Sequence, residues 1–109
     1  MWRLLTMVLF LSCASGPSKE VQEAKAAVAR GALVLDVRTP GEFAGGHVDG
    51  AVNLPVQELD AKWATLNVPA DREVIVYCAS GRRSAKAKEL LTAKGVKTII
   101  DVGAMSNWK

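Results

Sequence analysis

The sequence predicts a single α/β domain in which helices cover both faces of a parallel β-sheet. Its 109 residues are enough for one domain, and half of them are hydrophobic, so a packed core needs no metal or disulfide. Continuous apolar runs, typical of strands buried on both faces, alternate with segments of helical period. Such alternation favours parallel strands joined by crossover helices.

A helix and then a core strand are predicted at the start of this domain. Ser18 is a suitable N-cap for a helix over residues 18–30, and Gly31 marks its end. The apolar side chains that share one face of this helix are Val21, Ala24 and Val28. Residues 33–37 form an apolar run interrupted only by Asp36, which predicts the first core strand.

The middle of the chain is predicted to be a loop, a short strand and a second helix. The loop is rich in proline and glycine and covers residues 39–46, and the strand covers residues 51–54. Pro55 suits the first turn of the following helix. The predicted inward face of that helix consists of Val56, Leu59, Trp63 and Leu66, so we expect Trp63 in the core.

Two further core strands flank the last predicted helix. The first covers residues 73–77 and continues directly into a loop that begins at Cys78. A helix over residues 84–94 and a strand over residues 96–102 follow. Near the end of the chain, Trp108 is expected to be either a lid over the site or a plug on the surface.

The first fourteen residues have the composition of a secretory signal. Arg3 precedes a short apolar run over residues 4–11, and small residues follow it. We therefore expect a signal peptide over residues 1–14, a domain over residues 15–109 and export to a bacterial periplasm. Lipoprotein processing at Cys13 is an open alternative, and only in that case do we expect attachment to a membrane.

Composition argues against several classes of function. The net charge is only +3, lysines and arginines alternate with glutamates, and aromatic residues are few, so no nucleic-acid surface is expected. One histidine and one cysteine in the mature chain give no spacing suited to a metal. We expect neither a metal nor an organic cofactor, and we expect a monomer.

The loop after Cys78 has the features of an activated thiol. In parallel sheets ligands bind where strands end and helices begin, and Cys78 lies at such a junction. The backbone N–H groups of residues 79–84 can curl around one centre, and Gly81 permits the turn. With the helix dipole and two arginines, Arg82 and Arg83, they favour thiolate over thiol and hold an anion beside the sulfur.

The same residues carry a resemblance to a known family. Cys78-Ala79-Ser80-Gly81-Arg82-Arg83-Ser84 resembles the active-site loop of rhodaneses, Cys-x-x-Gly-x-Arg-Ser. Upstream, the segments 35–43 and 46–55 resemble the family's Asp-Val-Arg, Glu-Phe, Gly-His-Ile and Asn-Ile-Pro signatures, in the same order and spacing. With the signal peptide that we expect, the chain is similar to the small periplasmic rhodaneses of bacteria.

This resemblance implies a thiosulfate sulfurtransferase with Cys78 as its catalytic residue. Cys78 would take the outer sulfur of thiosulfate, release sulfite and pass the sulfur from a persulfide to cyanide or a thiol acceptor. The substrate-binding residues would be the rest of the loop, Ala79, Ser80, Gly81, Arg82, Arg83 and Ser84. We expect the site to face solvent, so that Cys78→Ser would leave folding nearly intact.

Other polar residues near the predicted site have two interpretations. Asp36 and Arg38 either support the electrostatics of Cys78 or have structural roles. In the structural case Arg38 pairs with Glu42, which we favour for Arg38, and Asp36 bonds loop amides. The single histidine, His47, is expected to satisfy backbone groups rather than act as a base.

Three alternative functions remain to be weighed. A cysteine phosphatase or arsenate reductase would place arginine six positions after the cysteine, where this chain has Ser84. A sulfur-carrier module that delivers sulfur to a partner would need the same thiol but no free turnover. An inactive rhodanese fold used for protein contacts typically lacks the cysteine that this chain has.

Overall fold

The computed structural model describes residues 18–108 and confirms the α/β fold with a parallel sheet. The predicted signal peptide and Cys13 lie outside the described residues. The helices are α1 (Lys19–Ala29), α2 (Pro40–Ala44), α3 (Leu59–Lys62) and α4 (Arg82–Ala93), and the strands are β1 (Leu33–Asp36), β2 (Val52–Asn53), β3 (Val74–Cys78) and β4 (Ile99–Ala104). The strand order is β2-β1-β3-β4, with every neighbouring pair parallel.

The sheet separates two hydrophobic layers, because successive side chains of a strand point to opposite faces. One layer packs α1 against Val34, Ile75 and Tyr77 of the central strands. The other packs α3 and α4 against Leu35, Val76 and Cys78. Trp63 is buried in this second layer, as predicted. Cys78 and Tyr77 are neighbours in sequence but point to different layers.

Most predicted elements are present, with shifted boundaries. Ser18 caps α1 by accepting a hydrogen bond from the backbone N–H of Val21, as expected. Helix α4 begins two residues earlier than predicted, at Arg82, so both loop arginines belong to its first turn. Strand β4 begins three residues later than predicted and extends to Ala104.

Two predictions in the middle of the chain are wrong. The expected loop over residues 39–46 contains the short helix α2, which Thr39 and Glu42 stabilise through a reciprocal capping box. The expected helix after Pro55 is broken into a 3-10 turn at Val56–Glu58, helix α3 and a second 3-10 turn at Trp63–Leu66. Its inward face was nevertheless predicted correctly, since Leu59 and Trp63 are buried.

In the described range 18–108, no helix is both long enough and apolar enough to cross a membrane.

Candidate active site

Cys78 is the last residue of β3, at the carboxyl end of the sheet where the ends of β1 and β4 lie on either side. It is a free thiol and its residue is fully buried, with 0% exposure. The prediction that the site faces solvent is therefore wrong for Cys78, although Ala79, Ser80 and Arg82 of the same loop are exposed. A substrate must displace atoms of the surrounding loop or rim before it can contact the sulfur.

Backbone N–H groups converge on the sulfur atom itself. The N–H of Gly81 donates to Cys78 Sγ over 2.9 Å, and the N–H of Ser84 donates to it over 3.4 Å. These groups belong to the start of α4, where helical N–H groups have no partner within the helix. Cys78 Sγ therefore caps α4, and the positive end of the helix dipole is directed at the sulfur.

The turn that makes this contact possible requires glycine at position 81. Gly81 has φ 99°, a conformation that other residues adopt only with strain. A Cβ at position 81 would lie 3.6 Å from the Cα of Gly103 at the end of β4, and Gly103 has φ 76°. The two glycines let the cysteine loop lie close to the last strand.

The hydrogen bonds of the loop favour the thiolate. Burial alone would raise the pKa of Cys78, but hydrogen bonds outweigh it and the pKa is lowered below its ordinary value. Ser84 contributes through its N–H and its hydroxyl, and the N–H groups of Gly81 and Ser80 add to the effect. The Ser84 hydroxyl has a single proton to donate. Its two possible acceptors are Cys78 Sγ and the Gly81 carbonyl, which lies 3.1 Å away.

The two loop arginines have different environments. Arg83 makes a bidentate ion pair with Glu42 of α2, with Nη1–Oε1 2.8 Å and Nη2–Oε2 3.0 Å. Arg82 is exposed, and its side chain has neither hydrogen bond nor ion pair within residues 18–108. Thus the loop has one neutralised cation and one free cation. Ala79 and Ser80, the remaining loop residues, are exposed at the rim.

The Arg83–Glu42 pair overturns one prediction from the sequence. We expected Arg38 to pair with Glu42, but Arg38 instead forms a buried ion pair with Asp36, two residues before it. The spacing Asp-x-Arg across the strand end brings these two side chains together. Their mutual hydrogen bonds offset the cost of burying both charges.

Asp36 and Arg38 belong to a buried hydrogen-bond network that also includes Tyr77. Burial would raise the pKa of Asp36, but bonds from Arg38 and from the Tyr77 hydroxyl outweigh it and lower that pKa. Tyr77 donates to Asp36 Oδ2 over 2.7 Å and accepts from the N–H of Val48 over 3.1 Å. Burial, followed by Asp36, raises the pKa of Tyr77 to about 12, so the hydroxyl stays protonated.

This network fixes the segment between β1 and β2 to the sheet. Arg38 Nη2 donates to the Gly46 carbonyl over 2.7 Å, and Asn53 Nδ2 donates to the carbonyls of Asp36 and Arg38 over 3.0 Å each. Two interpretations were left open for Asp36, and its bond to a loop amide is observed, since its Oδ1 accepts from the N–H of Arg38 over 2.9 Å. Asp36, Arg38 and Asn53 thus bond the backbone beside Cys78 and make no hydrogen bond to its sulfur.

Tyr77, Asn53 and Glu42 were missed as members of the site and its frame. Tyr77 looked like one more apolar residue of a core strand, although a buried tyrosine hydroxyl usually has a partner. Asn53 and Glu42 lie inside the upstream family signatures, and this position alone could have marked them as candidate site residues.

His47 contacts a backbone carbonyl, as expected, and Trp108 packs on the layer of the sheet opposite to that of Cys78. His47 Nδ1 is 2.9 Å from the Phe43 carbonyl, and its ring stacks on Phe43 with centroids 3.7 Å apart. Trp108 packs against the α1 layer, with the Lys25 ammonium 5.5 Å from its ring centroid. Among residues 18–108 there is no cluster of three potential metal ligands.

Comparison with known proteins identifies the family. The family model of the rhodanese-like domain matches residues 20–109 of this sequence. Thiosulfate sulfurtransferase PspE of Escherichia coli is 36% identical over 73 residues, which are 67% of this chain and 70% of that protein. A structure described as a rhodanese with anions, also from E. coli, has a TM-score of 0.65 at 35% identity and covers 69% of this chain and 88% of its own.

A human single-domain sulfurtransferase aligns over more of the fold. Its TM-score is 0.72 at 28% identity, and the match covers 86% of this chain and 96% of the human chain. These matches agree with the single α/β domain and its four-stranded parallel sheet. The chain belongs to the rhodanese-like domain family.

Proposed function

We propose that this chain is a sulfurtransferase that carries sulfur as a persulfide on Cys78. The observation that carries the proposal is the convergence of the Gly81 and Ser84 N–H groups on Cys78 Sγ. These donors keep the sulfur ionised and nucleophilic. The same donors can stabilise the negative charge of a persulfide without a metal or organic cofactor. The names of the relatives support the sulfurtransferase class.

Thiosulfate is the donor that we propose. The Cys78 thiolate attacks the outer sulfur, a new S–S bond forms, and the S–S bond of thiosulfate breaks with its electron pair leaving on sulfite. One thiolate and one dianion thus give one persulfide anion and one dianion, so charge is conserved. Cyanide or a thiolate then attacks the terminal sulfur, which leaves as thiocyanate or a new persulfide and restores Cys78.

Arg82 is the proposed first contact for the anionic donor. It lies at the first position of α4, is exposed, and has no partner within residues 18–108. Arg83 is bonded to Glu42, so it is not free to bind an anion in this conformation. We therefore propose that Arg82 captures the donor from solvent and that Arg83 contacts the donor afterwards, nearer the sulfur.

A sulfur-carrier role is the second candidate, and the burial of Cys78 favours it. A fully buried sulfur exchanges slowly with small acceptors in solution, and a protein partner that opens the loop would accept sulfur faster. The chemistry at Cys78 is the same in both cases, and only the acceptor differs.

Phosphatase chemistry is disfavoured by the residue at position 84. Ser84 directs its N–H at the sulfur and has only a hydroxyl in its side chain. It cannot supply the planar fork with which an arginine grips phosphate. The loop is thus built to hold a sulfur anion.

Intact mass of the purified protein with and without thiosulfate tests the proposal. We expect the mass of one additional sulfur atom, lost again on addition of cyanide with release of thiocyanate. No added sulfur on Cys78 would refute the persulfide. Sulfur uptake without steady-state thiocyanate production would select the carrier over the enzyme, and turnover of an aryl phosphate would favour the phosphatase.

Export is a separate proposal that rests on residues 1–14 alone. Their positive start, apolar run and small residues support a secretory signal, with lipid attachment at Cys13 as the alternative. The mass of the protein recovered from a periplasmic fraction would distinguish a cleaved chain from a lipidated one. Retention of the full-length chain in the cytoplasm would refute both.

A further inference from the structure

The Arg83–Glu42 ion pair joins the two segments that follow the central strands. Glu42 belongs to α2, which follows β1, and Arg83 belongs to the first turn of α4, which follows Cys78. Because β1 and β3 are parallel neighbours, both segments lie at the same edge of the sheet. The pair therefore spans the edge at which Cys78 is found.

Glu42 is held in place independently of Arg83. Its Oε1 accepts hydrogen bonds from the Thr39 N–H over 3.0 Å and from the Thr39 hydroxyl over 3.1 Å. The capping box thus fixes the carboxylate on α2, and the guanidinium of Arg83 bonds to that carboxylate. The bidentate geometry copies the way arginine binds a planar or tetrahedral oxyanion.

Arg83 also interacts with the charge of Cys78. Its pKa is raised chiefly by its bond to Glu42, and the thiolate of Cys78 contributes as well. Arg38 also acts on Arg83, and as a like charge it lowers the pKa of Arg83, whereas Glu42 is the ion-pair partner. An anion that reaches the sulfur therefore arrives beside a cation already occupied by a carboxylate.

We propose that Glu42 competes with the anionic sulfur donor for Arg83 and thereby sets the affinity and selectivity of the site for anions. This inference rests on the proposed function. A dianion such as thiosulfate draws Arg83 away from Glu42 as it approaches Cys78, and Glu42 takes Arg83 back when the product anion leaves. A neutral reagent gains nothing from Arg83 and is unaffected by Glu42.

Glu42→Gln is the decisive variant, because glutamine preserves the capping box while removing the charge. Glu73→Gln is its matched control. Glu73 makes a comparable bidentate pair with Arg30, at 3.0 Å and 2.7 Å, at the opposite end of β3 from Cys78. Any general effect of losing a bidentate ion pair should be the same in both variants.

The first measurement compares alkylation of Cys78 by iodoacetate, an anion, with alkylation by neutral iodoacetamide. We expect Glu42→Gln to raise the ratio of the two rates about two- to fivefold at low ionic strength, the range given by a partly exposed ion pair. Salt should reduce the difference. An unchanged ratio, or the same change in Glu73→Gln, would overturn the proposal.

The second measurement separates this inference from the proposed function. Glu42→Gln should lower the KM for thiosulfate, and the additional change Arg83→Gln should abolish that gain. A raised KM in Glu42→Gln would show that Glu42 only supports the fold. If Cys78 accepts no sulfur but the alkylation ratio still rises, the proposed function fails and the competition for Arg83 stands.

Discussion

The backbone N–H of Gly81 lies 2.9 Å from Cys78 Sγ, so the residue that permits the turn also donates to the sulfur. Conformation and chemistry are thus coupled at one position, since φ 99° at Gly81 sets the direction of its N–H. Cys78 Sγ, in turn, is the hydrogen-bond acceptor for the N–H groups of Gly81 and Ser84 at the start of α4. Loss of either partner should affect both the stability of the helix start and the reactivity of the cysteine.

Replacement of Cys78 tests its double role as nucleophile and helix cap. Both Cys78→Ser and Cys78→Ala should take up no sulfur from thiosulfate. Serine can still accept from Gly81 and Ser84, whereas alanine leaves one buried and one half-buried N–H unpaired, and the buried one alone costs about 1–3 kcal/mol. Chemical denaturation should therefore find the alanine variant less stable. Equal stability of the two variants would show that the sulfur does not cap α4.

The reactivity of Cys78 should depend on pH with a midpoint below the reference value of 9.0 for a thiol. Because the folded pKa is lowered, folding favours the thiolate. This contribution to stability is complete above the pKa of the unfolded thiol and disappears as pH falls through the folded pKa. The rate of iodoacetamide alkylation should rise through that lower midpoint and then level off.

Ser84→Ala provides the control for this pH profile. It removes the hydroxyl but keeps the N–H that donates to the sulfur, so the midpoint should move upward without returning fully to that of a free thiol. A midpoint at or above 9.0 in the unmodified protein would contradict the hydrogen-bond argument.

Gly81→Ala should both destabilise the protein and raise the pKa of Cys78. A positive φ costs a residue with a Cβ about 1–2 kcal/mol, while the nearest atom to the new Cβ, Gly103 Cα at 3.6 Å, is at an ordinary contact distance. Gly95→Ala is the control, since Gly95 has φ 89° and open space around it. It should lose similar stability with no change at the thiol; a shift of the thiol pKa in both variants would refute a local effect.

Arg82→Ala should raise the KM for thiosulfate with little change in kcat. We expect about tenfold, which is slightly less than the ~1.5–3 kcal/mol that a hydrogen bond to a charged group contributes, because Arg82 is exposed. Lys88→Ala removes the same charge from an exposed position further along α4 and should change KM much less. Equal increases of KM in the two variants would show that Arg82 contributes only long-range electrostatic attraction of the anion.

Tyr77→Phe tests the frame behind the site. The variant removes the hydroxyl that donates to Asp36 and leaves the buried N–H of Val48 without its acceptor, at a cost of about 1–3 kcal/mol. Hydrogen exchange at the Val48 amide should accelerate, while the pH midpoint of Cys78 stays unchanged. An altered thiol midpoint would show that the network reaches the sulfur.

Much of the fold was determined by local pattern. The apolar runs that became β1 and β3 are buried on both faces, and an uninterrupted hydrophobic run has few other solutions in a chain of this size. The Cys-x-x-Gly-x-Arg-Ser spacing likewise predicted the loop, because glycine and the start of a helix are local features. The break of the helix after Pro55 was missed because no glycine or proline lies between residues 56 and 66.

Pairing of side chains and access to the sulfur were decided only by the tertiary structure. Arg38 and Glu42 are four residues apart and looked like partners, yet Glu42 bonds Arg83, 41 residues away, and Arg38 bonds Asp36. Charged side chains are long enough to reach several possible partners, so which pairs form depends on the residues that the fold brings near them. The burial of Cys78 has the same origin, since exposure depends on how segments from β1, β3 and β4 close around one point. Sequence by itself determined which atoms carry the chemistry, and packing between distant segments decided what surrounds them.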